Sequence, residues 1–396
     1  MIGDRIKQAR LMAAISQDEL VHMLAKSGVQ LTKAGLSKYE RGSSVPKATL
    51  LQHLAAVLRV QPEFFLKEQT VSIRWLRFRK RSGMGMRDQE RIHAMATAQV
   101  EAYVRLRAAF TKEEPQRFPQ PMRVRTADEA EAAAGSLRRS WHLQDWPIES
   151  MTELIESREG IVVELTDPHD RFDGLSGVAN DVHAVIIADA SAPDDRKRFT
   201  FAHELGHLLM DTRGAEDEER LAHRFAAAFL MPASLARKEL GEKRLRISLS
   251  ELTILKQKHG LGMQSWVLRA RDLHIIDEGH YGTLIRQVRG RNEMVEYKGN
   301  ERPIRLRQMV LRAYAEGVIG HDQALRWCPD LDQDEVNNVP DAVDGRVTAR
   351  ALMRLPREKR NAILREAAAH AGTLYDKGEL RVEDIADDWE DVYGGR

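Results

Sequence analysis

The sequence predicts a multidomain, mainly α protein: an N-terminal all-α bundle, then an α+β domain with a helical C-terminal region. Three observations carry this. The chain has 396 residues, more than one ordinary hydrophobic core organises, so two or three domains are expected. Residues 1–66 hold cap and stop signals for short helices and no strand pattern. Residues 126–235 instead mix helical stretches with short β-branched runs. The expected divisions are a unit at 1–66, a basic and aromatic segment with a long helix and a Pro-rich linker at 67–123, a domain at 124–245, a helical region at 246–330, and a linker, helix and acidic tail at 331–396.

Within the first unit, Ile2, Ile6, Ala9 and Leu11 mark one helix. Ser16 followed by Glu19 is a capping-box signature for a second, SQDELVHMLAKSG, which Gly28 ends. Thr32 caps a third, TKAGLSKYERG, closed by Gly42; ATLLQHLAAVLRV supplies a fourth, and 62–66 a short fifth. Helices at 16–27 and 32–41 around a turn at 28–31 have the lengths of a helix-turn-helix, whose second helix enters the DNA major groove. The stretches SQDELVHMLAKSG, LSKYERG and LLQHLAAVL resemble the XRE/Cro-repressor class of helix-turn-helix domains. That resemblance implies double-stranded operator DNA as a partner, with Gln17 on a phosphate and Thr32, Lys33, Ser37 and Lys38 facing the DNA. Arg41 would lie near the DNA backbone, and Glu40 would pair within the fold. Gly35, inside the recognition helix, departs from the pattern and costs roughly 1 kcal/mol against Ala. Paired half-sites would make the protein a homodimer.

Sixty-one basic against 60 acidic residues leave a net charge of +1, so any grip on nucleic acid must be local. One local basic run is VSIRWLRFRKRSGMGM, with Arg74, Arg77, Arg79, Lys80 and Arg81, extended by Arg87 and Arg91. Its aromatics Trp75 and Phe78 favour packing against a neighbouring domain over phosphate contact. A long helix at 87–110 and a linker with Pro115, Pro119 and Pro121 follow. Cys328 is the single cysteine, which excludes a disulfide framework and a Cys-based metal site. The N-terminus MIGDRIKQARLMAA has no apolar leader, and no apolar run reaches spanning length; a cytoplasmic protein without a membrane partner is expected.

In the middle region, Thr126 with Glu129 caps one helix, and Pro147 opens another that Gly160 ends. IVVEL, FDGLSG and HAVIIAD read as strands. RKRFTFAHELGHLLM and EERLAHRFAAAFLMP read as helices, the second ended by Pro232. Residues 248–325 read as mostly helical, with a short hairpin in TLIRQVRGRNEMVEYKG. LPREKRNAILREAAAH reads as an amphipathic helix before the acidic end.

The chemistry concentrates in HELGH. On a helix, His203 and His207 are four apart and share a face. Two imidazoles there can hold one ion, and Glu204 beside the first can take a proton from water the ion activates. A catalytic zinc site needs a third protein ligand and an open position. The following helix offers Glu219 and His223, also four apart, above an apolar face of Ala222, Phe225, Ala226 and Phe229. Neither His183 nor Tyr281 has a spacing argument as an oxyanion stabiliser, and His183 reads as a surface residue.

RKRFTFAHELGHLLM followed by ERLAHRFAAAFLMP closely resembles the ImmA/IrrE family of metallopeptidases. The resemblance implies a zincin-like domain holding Zn2+ on His203, His207 and Glu219, with Glu204 catalytic. His223 stands where the family carries an acidic or amide residue, as a supporting group or an alternate ligand. A helix-turn-helix fused to such a domain is similar to regulators of stress responses and mobile elements. Related peptidases cleave a helix-turn-helix repressor, so a regulatory protein is the implied substrate. The competing reading is a non-catalytic, metal-containing regulator or antitoxin that binds a partner protein.

Overall fold

Side-chain caps start the second and third helices where the sequence places them. In the computed structural model, which describes residues 2–80, 84–115, 118–166, 168–169, 172–289, 296–328, 331, 342–343 and 346–347, α1 (Ile2–Met12) is followed by α2 (Gln17–Lys26). Ser16 and Glu19 form the full capping box of α2, satisfying two amides that a helix start leaves open. Thr32 caps α3 (Lys33–Glu40) by accepting from the Gly35 amide. A Cβ on Gly35 would lie 3.0 Å from Leu31 Cδ1 and 3.3 Å from Thr32 Oγ1. The glycine therefore makes room for the cap, which accounts for its place in this helix. With α4 (Ala48–Leu58) and α5 (Glu63–Leu66), these helices bury Ile6, Leu20, Leu24, Leu36, Leu54 and Phe65 in one small core.

The basic run that follows is a strand. β1 (Ile73–Lys80) is one outer strand of a sheet ordered β1-β4-β5-β3, with β3 (Ile161–Leu165), β4 (Phe172–Ala179) and β5 (His183–Asp189) as the three expected strands. A separate two-stranded pair joins β2 (Met122–Arg123) to β6 (Met210–Asp211). β1 and β4 pair antiparallel, as do β4 and β5, while β3 and β5 run parallel. Within the segment at 67–123, the basic and aromatic part thus supplies a sheet strand. The segment also supplies α6 (Met86–Phe110), which packs on β3. Trp75 stacks on His93 of α6 at 5.3 Å.

The sheet is covered on both faces, as near-continuous apolar strands require. Ala184, Ile186 and Ala188 join a core cluster with Phe201, Ala202 and Leu205 of α9 (Asp194–Leu209). On β4, Gly177 meets the Trp75 ring and Gly174, three residues earlier, meets α9. Strand alternation puts those two on opposite faces. The cluster continues through α7 (Ala127–Ser140), α8 (Met151–Ser157), α10 (Glu218–Leu230), α11 (Ala233–Leu240), α12 (Leu249–His259), α13 (Met263–Asp272) and α14 (Glu278–Arg289).

Two expectations change here. Ser150, not the region of Pro147, caps α8. TLIRQVR lies in helix α14 rather than a hairpin, because Leu284, Ile285 and Val288 share one buried helical face.

The N-terminal helices are tied to α6. Arg5 of α1 and Glu101 of α6 form a buried ion pair, and Arg5 also donates to the carbonyls of Lys67 and Glu68. All of this belongs to one compact unit, Met1–Pro303. A second unit begins at Ile304 and contains α15 (Arg305–Ala315) and α16 (His321–Trp327). The helix expected at 355–370 and the acidic tail lie outside the described residues. Among the described residues, no helix is long and apolar enough to cross a membrane.

Candidate metal centre

α9 begins after Pro193 and is pinned along its first turns by buried charges. Lys256 pairs with Asp195 at 3.1 Å, Lys197 with Glu164 at 2.7 Å, and Arg198 with Glu301 at 2.7 Å. Arg198 also donates to the Ile148 and Glu149 carbonyls, and Glu301 accepts from the amides of Met151 and Thr152 at the start of α8. Removing one member of such a buried pair strands the other charge, at a cost of about 3–5 kcal/mol. These pairs fix the start of the helix that carries HELGH.

Two turns on, His203 and His207 project together. Their Nε2 atoms are 3.1 Å apart, and the Glu219 carboxylate from α10 lies 3.3 Å from His203 Nε2 and 3.4 Å from His207 Nε2. His203 is fully buried, whereas the Glu219 side chain is 51% exposed. The site thus has a closed inner side and an outer side facing solvent. Hydrogen bonds from His203 and His207 hold the Glu219 carboxyl well below the usual carboxylate range. The three ligand atoms lie within 4.8 Å of one another, and two imidazole nitrogens with a carboxylate oxygen suit a divalent transition metal.

Gly206, the glycine of HELGH, brings the two helices together. A Cβ there would sit 3.0 Å from Phe225 Cδ1. Phe225 is fully buried with Ala222, Ala226 and Phe229, the apolar face on which the sequence predicts α10 packs. Asp217 caps α10, placing Glu219 in its first turn over the histidines. His223, one turn later, does not bring a nitrogen into the group. Its ring lies 4.6 Å from that of His203 and stacks on Phe199 at 5.6 Å.

Glu204 is fully buried on the same helix and points toward the sheet. Gly174 of β4 makes its space: a Cβ there would lie 3.0 Å from Glu204 Oε1 and 2.7 Å from Thr200 Cγ2. Sequence reasoning passed over Gly174, although a glycine inside FDGLSG signals a close approach. His183, expected at the surface, is buried on the inner strand β5. Tyr281 lies under the Arg271 guanidinium, 4.5 Å from ring centre to cation.

The DNA-facing candidates lie on the helix-turn-helix pair α2 and α3. Gln17 opens α2 and donates to Glu40 at 2.7 Å. Glu40 is buried against Arg10 at 2.6 Å, paired within the fold as expected. Thr32, Lys33, Lys38 and Arg41 are exposed, and Ser37 is half-buried. Lys33 pairs with Asp18 at 2.6 Å, and Arg41 donates to the Ser37 carbonyl.

No curated protein and no solved structure matches the chain. Two families do match parts of it. Residues 6–65 match the helix-turn-helix family, and residues 157–270 match the IrrE N-terminal-like domain of the Peptidase M78 family. The second match runs from the end of α8 into α13 and so includes every residue of the His–His–Glu group. The chain joins an XRE-type helix-turn-helix domain to an IrrE/ImmA-like domain of the Peptidase M78 family.

Proposed function

We propose that this protein is a DNA-binding transcriptional regulator whose second domain is a zinc-dependent endopeptidase. One observation carries the peptidase reading: His203, His207 and Glu219 converge within 4.8 Å, and Glu204 is buried on the same helix. We assign the three converging residues as metal ligands, with Glu219 rather than His223 as the third. When bound, the metal supplies Lewis acidity that polarises a scissile carbonyl and activates water.

The chain's own residues do the rest. The ion pairs of α9 hold His203 and His207 in place, and the exposed side at Glu219 admits a polypeptide. Glu204 takes a proton from the attacking water and returns it to the departing amine. Water addition and C–N cleavage leave one carboxylate and one amine. The substrate we favour is a regulatory protein, such as a helix-turn-helix repressor in stress-response or mobile-element control. We take the protein to act on double-stranded operator DNA in the cytoplasm as a homodimer; the helix-turn-helix match at residues 6–65 supports the DNA-binding part of this reading. Gln17, Thr32, Lys33, Ser37, Lys38 and Arg41 are the contacts we assign.

The test compares wild type with Glu204→Gln for bound zinc and for cleavage of candidate repressors. Both should hold zinc, and the variant should cut about 10²–10⁴-fold more slowly. Zinc in both with cleavage by neither, while DNA binding persists, leaves the non-catalytic regulator as the answer. Lys33→Ala combined with Lys38→Ala should weaken DNA binding and flatten its salt dependence; no change in either would sink the operator reading.

A further inference from the structure

In a helix-turn-helix, the first helix of the pair crosses the DNA backbone, and its N-terminus faces phosphate. Here that helix is α2, and its second and third residues are Asp18 and Glu19. Two carboxylates beside an incoming phosphate are repulsive. Each has a basic neighbour from another element. Lys33 of α3 pairs with Asp18 at 2.6 Å, and Arg87 pairs with Glu19 at 2.8 Å. Glu19 sits below the ordinary carboxylate range, held there by the Ser16 amide and hydroxyl and then by Arg87, so it is charged at neutral pH.

Arg87 does not belong to the helix-turn-helix. It is the second residue of α6, the helix that lines the metal-domain sheet. Its position is set from both sides: it also donates to the Ala14 carbonyl in the turn before α2, and Glu101 anchors α6 to Arg5. Arg87 and Glu19 are each about half exposed, which leaves the pair open to a ligand.

We infer that the DNA-binding surface extends beyond the helix-turn-helix onto α6, where Arg87 neutralises Glu19 at the phosphate-facing end of α2. The inference rests on the DNA-binding reading above. Arg87 is a positioning residue for charge: it acts on phosphate through Glu19. A helix-turn-helix cut away at residue 66 would present an uncompensated carboxylate to the DNA backbone.

The experiment uses the full chain and a fluorescein-labelled duplex of mixed sequence, with anisotropy read across a salt series. Loss of one compensating charge should weaken Arg87→Ala by up to about eightfold at 0.1 M salt. The slope of log K against log salt should become shallower by about 0.9. Arg87→Lys should bind like wild type. Glu19→Gln keeps the capping pattern and removes the carboxylate, so adding it to Arg87→Ala should restore wild-type binding. A purely structural role for Arg87 predicts no such rescue. Wild-type binding by Arg87→Ala, or a double variant as weak as Arg87→Ala alone, overturns the inference. Lys38→Ala separates the two readings. If it weakens binding while Arg87→Ala does not, only the extension to α6 falls; if the wild-type chain binds no duplex at any salt, both fall.

Discussion

Gly174 shows how one residue sets the surroundings of Glu204. Its missing side chain lets β4 lie directly on Thr200 and Glu204. An added methyl must push the strand or the carboxylate aside. We expect Gly174→Ala to lose about 1–3 kcal/mol of stability and to slow cleavage while zinc content stays at the wild-type level. Metal analysis beside a rate assay checks this, and an unaltered rate would show that Glu204 tolerates displacement. The histidines and Glu204 were legible in the sequence because four-residue helical spacing is local geometry. The role of Gly174 was not, because it depends on which strand covers α9. His183 was misread for a related reason: a polar residue opening a strand looks exposed until that strand proves to be internal.

Between elements, the contact that matters most is α9 against α10. Gly206 admits Phe225, and that approach carries Glu219 to the histidines. Gly206→Ala should cost about 1–3 kcal/mol and, on the proposed function, weaken zinc binding, since Glu219, the proposed third ligand, rides on the displaced helix. A competition titration with a chromogenic chelator reads the affinity; unchanged affinity in a destabilised protein would mean that α10 adjusts without moving Glu219. The amphipathic pattern of α10 forecast this packing from Ala222, Phe225, Ala226 and Phe229 alone. The strand β1 was harder to place. Its alternating aromatic and basic residues indicated packing against a neighbour, but pairing with β4, a hundred residues away, has no local signal. The run TLIRQVR was ambiguous, since its apolar residues fit a short strand as well as a helical face, and burial of Leu284, Ile285 and Val288 on one side decided it.

At the scale of the molecule, the buried pair of Arg5 and Glu101 joins the N-terminal helices to α6. Burial opposes the charged carboxylate, but hydrogen bonding and attraction from Arg5 win and hold Glu101 below its ordinary value of 4.5. A carboxyl whose folded value is depressed stabilises fully above the unfolded value and loses that contribution as pH falls through the folded one. The docking should therefore hold through mildly acidic pH and loosen only below the ordinary carboxylate range; hydrogen exchange in α1 across a pH series reads this, and loosening near neutrality would refute it. Arg5→Ala removes the nearest partner of Glu101, leaving it Arg105 at 3.3 Å, and should cost up to about 3 kcal/mol and split a single calorimetric transition into two. One unsplit transition at the wild-type temperature would show that the two parts are coupled elsewhere. The outer position of β1 bears on how this protein can be trimmed. The two family matches, 6–65 and 157–270, invite cutting between them, yet the strand that follows the first is woven into the sheet of the second. A fragment beginning at residue 124 would bare the ladder edge of β4, an adhesive strip of unpaired amides and carbonyls. Fragments that begin before Ile73 should run as discrete species on size exclusion, and those that begin after Lys80 should aggregate.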